Sequence, residues 1–437
     1  RYYLQFSGMP DTLVYNVTES LNDYVDDYRG RAEWVNYLKG SPAGPNKDRD
    51  HAGLGIPIDL SLAFHTDAGI TSDESTVGTL MIYSTTGYES ESNFPDGMSR
   101  FANRDLGDIM QTQIVHDLRA LHDSTWTRRS LWDRDYSEAV RPNIPGVLLE
   151  LQSHQNFADM KFGLDPTYRA DVSRAIYKSM LRFLADQDGV PYVVQPLPVR
   201  NLKSEWADGD SQSTTSTAVR ISWQETVDPL EESASATGYI VYRRDGDTGF
   251  DNGVFTTKSE WTAYDLNPGI VTSFRVSAVN DGGESRWSNV ISVGIPSDTQ
   301  LIDTDQAEAA GTVLIVDNFN RISGPGTLEV EGWKGFMSSV DEGVPDGIDV
   351  SYVGEQYDFD PRSAYIDDDA PGHGASYATF ETWPRVGNTR DYAAIHADAV
   401  LNAGYRVLTA SGAALRDGTL DLGAYDVVDV LLGEQRR

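Results

Sequence analysis

The sequence has no cysteine. That absence excludes disulfides, thiolate zinc sites, iron–sulfur clusters and a cysteine nucleophile together. Any metal must be held by His, Asp or Glu, and histidine is itself scarce, with 7 in 437 residues. Basic residues are few as well: 35 Lys and Arg stand against 67 Asp and Glu, a net charge of −32. Such a surface repels nucleic acid and anionic membrane, so no nucleic-acid partner is expected. No apolar run approaches the roughly 20 residues of a membrane span, and the chain reads as not membrane-spanning. No signal peptide opens it; "RYYLQFSGMP" reads like the end of a helix whose upstream residues are missing.

What is present suffices for ordinary cores, with 39% hydrophobic and 10% aromatic residues. The length predicts two to four domains at roughly 100–200 residues each, and three textures divide the chain. Residues 1–190 alternate strand-like runs, "DTLVYNV" (11–17), "IDLSLAF" (58–64), "GTLMIYS" (78–84) and "GVLLELQ" (146–152), with helical periodicity over 28–38, 101–122 and 165–186. Strands alternating with helices predict a parallel α/β sheet. A proline-containing linker (189–202) leads to short strands separated by turn residues, a β-sandwich over 197–297. After a polar linker (297–311), residues 311–437 return to an α/β texture, with "TVLIVDNFN" a strand, a helix stopped at Gly404, and strands on either side of "DGTLDLG". The end after "EQRR" reads as an incomplete sheet.

Two apolar runs of the first region each end on one ionisable residue, "IPIDLSLAFHTDAG" on His65 and "IPGVLLELQSHQN" on Glu150. Parallel strands deliver such side chains to the crevice at their carboxyl ends. A His and a carboxylate there suit metal-assisted hydrolysis, with Zn²⁺ on the imidazole and the carboxylate as base. From spacing alone a hydrogen-bonded structural histidine is the commoner outcome, and Glu150 can equally be a buried acid paired to an arginine such as Arg141. His51 and Asp67 are neighbouring candidates, and His154, four residues past Glu150 in a turn, can line the cleft. His116 and His122 are six apart on one helix, not the i, i+4 spacing of a ligand pair. Glu19 and Glu33 read as a loop and a helix-surface carboxylate. "YIDDDAPG" (365–372) groups three carboxylates that can contribute to Ca²⁺, without EF-hand spacing. No G-x-G-x-x-G or P-loop supports nucleotide binding, neither in "GHGASYATFE" (372–381) nor elsewhere.

"DLSLAFHTDAG", "IPGVLLELQSHQNFADMKFGLDPTYRADVSRAIYKSML" and "LVYNVTESLNDYVDDYRGRAEWVN" resemble, in order and spacing over residues 11–185, the segments of zinc-dependent N-acetylmuramoyl-L-alanine amidases. The resemblance implies His65 as a zinc ligand and Glu150 as general base. It also implies that Ser153 and Asn156 shape the turn and that Arg31 and Asn36 lie on the matching helix. That family's Gly-His-Gly turn and following Glu have no counterpart upstream of Val14, so the other two ligands are expected outside this sequence. Asp67 stands where the family has Asn or another small polar residue. "AVRISWQ…TGYIVYRRD…AVNDGGESRWSN" resembles a fibronectin type III domain, with Trp223 and Phe274 in its core and Gly282-Gly283 in a hairpin. It is expected to act as a spacer or as an adhesion or glycan-binding module. The strand ending in Asp317 is similar to flavodoxin-like or class I amidotransferase-like sheets. The whole arrangement resembles multidomain cell-surface proteins of Bacteroidetes that carry the label xanthan lyase.

These implications give a secreted, periplasmic or cell-surface hydrolase acting on the amide between the lactyl group and L-alanine in peptidoglycan or another cell-wall glycan. Two alternatives stand beside it: a non-catalytic surface protein with cell-surface protein partners, and a polysaccharide-active enzyme. The last would draw on Trp126, Trp132 and Arg128-Arg129, expected in a loop over 123–135.

Overall fold

The structure, a computed structural model, describes residues 1–14, 18, 21–42, 52–209, 216–297, 310–319, 321–349, 356, 358–363, 385–387 and 391–433. His51, Glu19, the acidic segment 365–372 and "GHGASYATFE" lie outside the described residues. The chain forms two compact units. The first comprises residues 1–190, 325–340 and 353–381; the second comprises 191–324, 341–352 and 382–437.

The first unit opens with two short helices, α1 (Tyr2–Phe6) and α2 (Asp11–Val14). The strand expected from residue 11 is therefore a helix over its described part. Leu13 and Val14 are buried in a small cluster with Met9, against which Trp34 and Tyr37 pack, so tertiary contact overrides the local β-propensity. Helix α3 (Asp23–Lys39) is capped by Asn22, which accepts from Val25 N at 3.1 Å. Asp23 and Asp26 in its first turn and Lys39 in its last complement the helix dipole.

A four-stranded sheet follows: β1 (Ser61–Asp67), β2 (Thr79–Tyr83), β3 (Arg128–Asp133) and β4 (Gly146–Ser153), in the order β1-β4-β2-β3. β1 pairs parallel with β4 and β2 parallel with β3, but β2 and β4 run antiparallel. The all-parallel expectation is thus corrected to a mixed sheet. The cause is the connection over 68–78, which contains no helix; parallel neighbours need a helical crossover of a dozen or more residues. The expected loop over 123–135 in fact contains the edge strand β3.

β2 and β3 are joined through α4 (Phe101–Leu121), whose Leu106, Met110, Ile114 and Leu118 form an i, i+4 buried stripe. Two short helices, α5 (Ser137–Val140) and α6 (Phe157–Gly163), flank β4. Helix α7 (Pro166–Asp188) starts as its sequence predicts, with Asp165 accepting from Thr167 N at 2.8 Å and Pro166 in the first turn. It stops at Gly189, whose φ of 64° is left-handed. Val172, Ala175 and Phe183 of α7 share a core with the α4 stripe, Met81, Val147 and Leu149.

In the second unit a β-sandwich forms. One sheet contains β5 (Arg200–Trp206), β6 (Val219–Gln224) and β9 (Glu260–Ala263); the other contains β7 (Gly238–Asp245), β8 (Val254–Thr256), β10 (Thr272–Asn280), β11 (Gly283–Glu284) and β12 (Ile291–Val293). Trp206, Trp223, Val276 and Phe274 fill the space between them. β13 (Ala310–Asp317) follows, and the hairpin β14 (Thr327–Val330) and β15 (Trp333–Phe336) belongs to the first unit. The two-residue strands β16 (Ile348–Asp349) and β17 (Arg385–Val386), helix α8 (Tyr392–Asn402), β18 (Tyr405–Ser411), α9 (Gly412–Arg416) and β19 (Val427–Leu431) complete the chain.

β13 lies between β19 and β18, both parallel to it. This trio extends the sandwich: β18 pairs antiparallel with β5, giving a six-stranded sheet β19-β13-β18-β5-β6-β9. Ser204 Oγ donates to Thr409 O and accepts from Thr409 N, both at 2.8 Å. Leu314, Val316, Leu408 and Ala410 enter the same core as the sandwich tryptophans. Among the described residues, no helix is long and apolar enough to cross a membrane.

One polar contact underpins the first unit's core. Lys178 Nζ, its side chain 2% exposed, meets Asp117 Oδ2 at 2.6 Å, and Asp117 also accepts from Gln113 Nε2 at 2.9 Å. Removing the cation leaves the buried carboxylate with only Gln113 and, at 3.0 Å, His116 Nδ1 as side-chain partners among the described residues. Lys178→Met is expected to destabilise this unit by about 3–5 kcal/mol, read as a lowered midpoint of its urea transition; an unchanged midpoint would refute the assignment.

Candidate functional site

The parallel register of β1 and β4 sets His65 opposite Glu150. Side chains alternate along a strand, and β4 is buried throughout except at Glu150, which is half-buried. β1 is an edge strand of alternating exposure, not the buried strand its apolar run suggests. His65 and Glu150 line one cleft of about 470 Å³, together with Arg31, Glu138 and the rings of Tyr24, Tyr28 and Tyr136.

Glu138 was not singled out in the sequence and is the group nearest His65. It projects from α5, 8% exposed, and its Oε1 stands 3.5 Å from His65 Nε2 and 3.3 Å from Arg31 Nη1. Arg31 in turn pairs with Asp27 one turn back on α3. The Glu138 contact raises the imidazole above its ordinary 6.5, against partial burial, with the charge of Glu150 adding to the rise. Burial pushes the Glu138 carboxyl up, but His65, its own backbone N–H and Arg31 outweigh that and hold it below 4.5.

Glu150 behaves in the opposite way. Burial raises it above 4.5, aided by Asp67 and Glu138 and opposed by His65 and Arg129. Its Oε2 is buried without a hydrogen-bond partner among the described residues. A carboxyl raised by burial thus sits beside an imidazole raised by a carboxylate partner, two contrasting environments of the kind that acid–base chemistry uses.

The other expected residues fall around this pair. Asp67 accepts from Arg129 Nη1 at 2.5 Å and is lowered, burial opposing and the guanidinium prevailing. His154 is exposed; its Nδ1 lies 3.1 Å from Thr66 Oγ1, and its N–H donates to Asp67 O. It therefore braces the end of β1. Ser153 Oγ accepts from Gln155 N at 3.2 Å. Asn156 donates to Ser75 O at 2.9 Å and to Asp159 Oδ2 at 2.5 Å, and buried Asp159 accepts from Val77 N and Gly78 N. These two residues do shape the turn behind Glu150.

Asn36 is fully buried, donating to Glu33 and Arg141 O and accepting from Asn143 N. Glu33 is not a helix-surface carboxylate: it is 1% exposed and pairs with Arg141 at 3.3 Å. Arg141 accordingly serves Glu33 and not Glu150. Trp126 is buried, its Nε1 donating to Thr79 Oγ1 at 3.0 Å, while Arg128 is paired with Asp108. Trp132 is 37% exposed, under the Arg129 guanidinium. His122 pairs with Asp171 at 2.8 Å, and His396 with Asp429 at 2.6 Å.

The donor chemistry around the cleft, one imidazole and two carboxylates, is of the kind zinc takes. The arrangement is not: among the described residues no three His, Asp or Glu side chains form a group that could hold a metal, and His65 Nε2 faces Glu138. Three-ligand zinc binding does not fit these residues by themselves.

The His65–Glu138 pair has a defined pH window. A raised imidazole contributes stability below its unfolded value near 6.5, lost as pH rises through its folded value; a lowered carboxyl contributes above 4.5, lost as pH falls through its folded value. The pair therefore acts fully between about pH 4.5 and 6.5. Following His65 by NMR should give a midpoint above 6.5 that drops in Glu138→Gln. An unmoved midpoint would exclude the pairing.

Comparison with known proteins bears on one part of the chain. Residues 209–294 match the family model for the fibronectin type III domain. A search of curated proteins gave no match. Among solved structures, the chain is 22% identical to the twitchin kinase region from C. elegans, covering 24% of this chain and 17% of that one, with a TM-score of 0.19. It is 24% identical to a human fourth FNIII domain, covering 24% of this chain and 81% of that one, with a TM-score of 0.20. It is 18% identical to the FN5 domain of Drosophila Lar, covering 23% and 98%, with a TM-score of 0.17. At these TM-scores the structural likenesses carry no argument. The family match, on the strands β6 to β12, makes residues 209–294 a fibronectin type III domain within a multidomain chain.

Proposed function

We propose that the first unit is an amide hydrolase of the cell envelope, acting on peptidoglycan or a related cell-wall glycan in a secreted, periplasmic or cell-surface setting. The observation that supports it best is Glu150: a half-buried carboxyl with one unpartnered oxygen, raised by burial, at the cleft that also holds His65. In this reading Glu150, once ionised, accepts a proton from the attacking water as its oxygen bonds to the amide carbonyl carbon. The same proton then passes to the nitrogen as the C–N bond breaks, giving a free amine and a carboxylate. The His65 imidazolium, oriented by Glu138, supplies positive charge for the oxygen on which negative charge develops.

Zinc is the alternative use of His65, as a neutral imidazole in place of the imidazolium above and with its remaining ligands outside the described residues, and no step above passes through it. The polar turn anchored by Asn156 and Asp159 holds the end of β4 that presents Glu150. The fibronectin type III domain is read as a spacer, with cell-surface protein partners or a glycan as the ligands its loops would take. The weak Ca²⁺ candidate at 365–372 plays no part.

Two measurements test this. Release of the amine from a muropeptide, with zinc supplied, should fall by about a hundredfold or more in Glu150→Gln; hydrolysis at the parent rate would reject the base assignment. Parent protein that binds the muropeptide without hydrolysing it would favour a non-catalytic binding protein. Metal analysis of the parent and His65→Ala separates the two uses of His65: zinc in the parent alone would make it a ligand and reject the imidazolium step, and zinc in neither is the outcome expected from the described residues.

A further inference from the structure

A second cavity, of about 680 Å³, lies in the same unit and is not used by the reaction above. Its volume falls within the range of small-ligand sites. One wall is the segment after β1, with Thr71 and Glu74; another is α6, with Phe157 and Lys161. The rest comes from far along the chain: Lys334 on β15, and Phe359 to Arg362. We propose that this cavity binds a short peptide that presents an ammonium and a carboxylate together with an apolar side chain. The proposal stands independently of the amide-hydrolase reading.

The apolar part is preformed. Phe157, Phe336 and Phe359 pack as a trio with ring centroids 5.3, 5.4 and 5.5 Å apart, and both lining rings, Phe157 and Phe359, belong to it. The polar part has alternating sign. Lys161 pairs with Glu329 at 2.6 Å, Arg362 with Asp360 at 2.7 Å, and Lys334 with Glu74 and, at 3.7 Å, Glu329. The lining itself carries three cations, Lys161, Lys334 and Arg362, against two carboxylates, Glu74 and Asp360, so a ligand of one sign meets both attraction and repulsion. A neutral sugar would return hydrogen bonds to these charges but no opposite charge. A peptide with free ends supplies both signs.

Exchange of partners is cheap here. Glu74 is 66% exposed and can leave Lys334 at little cost, whereas Asp360 is 1% exposed and keeps its pair with Arg362, whose own side chain is 70% exposed and has donors for a second acceptor. A ligand carboxylate can therefore take Lys334 or Arg362, and an ammonium can take Glu74, without undoing the fold. The wall behind them is stiff. Thr71 Oγ1 donates to Ser75 O at 2.6 Å, and Asn156 and Asp159 tie this loop to the start of α6. Little ordering is left for the ligand to impose.

The test is calorimetric titration of the full chain with the tripeptide Ala-Phe-Ala, unblocked, and with its N-acetylated, C-amidated form. The unblocked peptide should bind at least tenfold more tightly. Lys334→Ala and Phe359→Ala, each checked for fold by circular dichroism, should each weaken it about tenfold. Equal binding of the blocked peptide would overturn the charge argument. No binding of either form up to about 10 mM would overturn the site. Binding that survives both variants but is lost in His65→Ala would move the peptide to the other cleft and also overturn it.

Discussion

Parallel pairing of β1 with β4 is the constraint on which the first unit's chemistry depends. It sets two chain segments about 85 residues apart in a fixed register, so that His65 meets Glu150. Register here is all or nothing, because a slip of one residue sends every side chain of a strand to the opposite face. Two features resist such a slip. Buried Asn103 accepts from Gly146 N at 2.8 Å at the start of β4, and Asp159 with Asn156 locks its far end. A bulge after His65 then lets the chain turn Asp67 toward Arg129.

Around this pair, the cleft separates its two carboxylates by environment. Glu138 has cationic partners and stays low; Glu150 has burial without a partner for one oxygen and rises. Neither property belongs to glutamate as such. α3 contributes to the difference from a distance, since Arg31 reaches Glu138 while Asn36 and Glu33 anchor the same helix to Arg141 and Asn143. The face of α3 that holds it to the unit, with Glu33 and Asn36, thus sets where Arg31 on another face of the same helix meets the site.

His65 and Glu150 were legible because each ends an apolar run, and such runs have a physical meaning in sheets. α7 was legible to its first residue from Asp165-Pro166, and Trp223 and Phe274 from the resemblance to a fibronectin type III domain. Glu138 was not: "RDYSEAVRPN" has no periodicity, and only the fold brings it to a histidine 73 positions earlier. β5 was hidden beneath the prolines of the preceding linker, and β3 by the polar residues of an edge strand, "RRSLWD". The direction of β2 depended on what the segment 68–78 lacks, a helix, which strand-by-strand reading does not weigh. The hairpin β14–β15 belongs to a unit whose main part ends at residue 190, and no local pattern encodes so distant an attachment.

The six-stranded sheet of the second unit has a consequence for how the protein is made. Ser204 and Thr409 close its central seam across 205 residues. A ribosome adding about 5–20 residues per second needs roughly 10–40 s to cover that distance. Throughout that interval β5 waits with one edge bare, and for the first 106 residues of it Trp206 also lacks its Thr312 partner. A bare strand edge is a template for pairing with other chains. Nascent copies on one message are the nearest other chains, so the seam makes the pace of translation, and whatever shields that edge meanwhile, part of the folding problem.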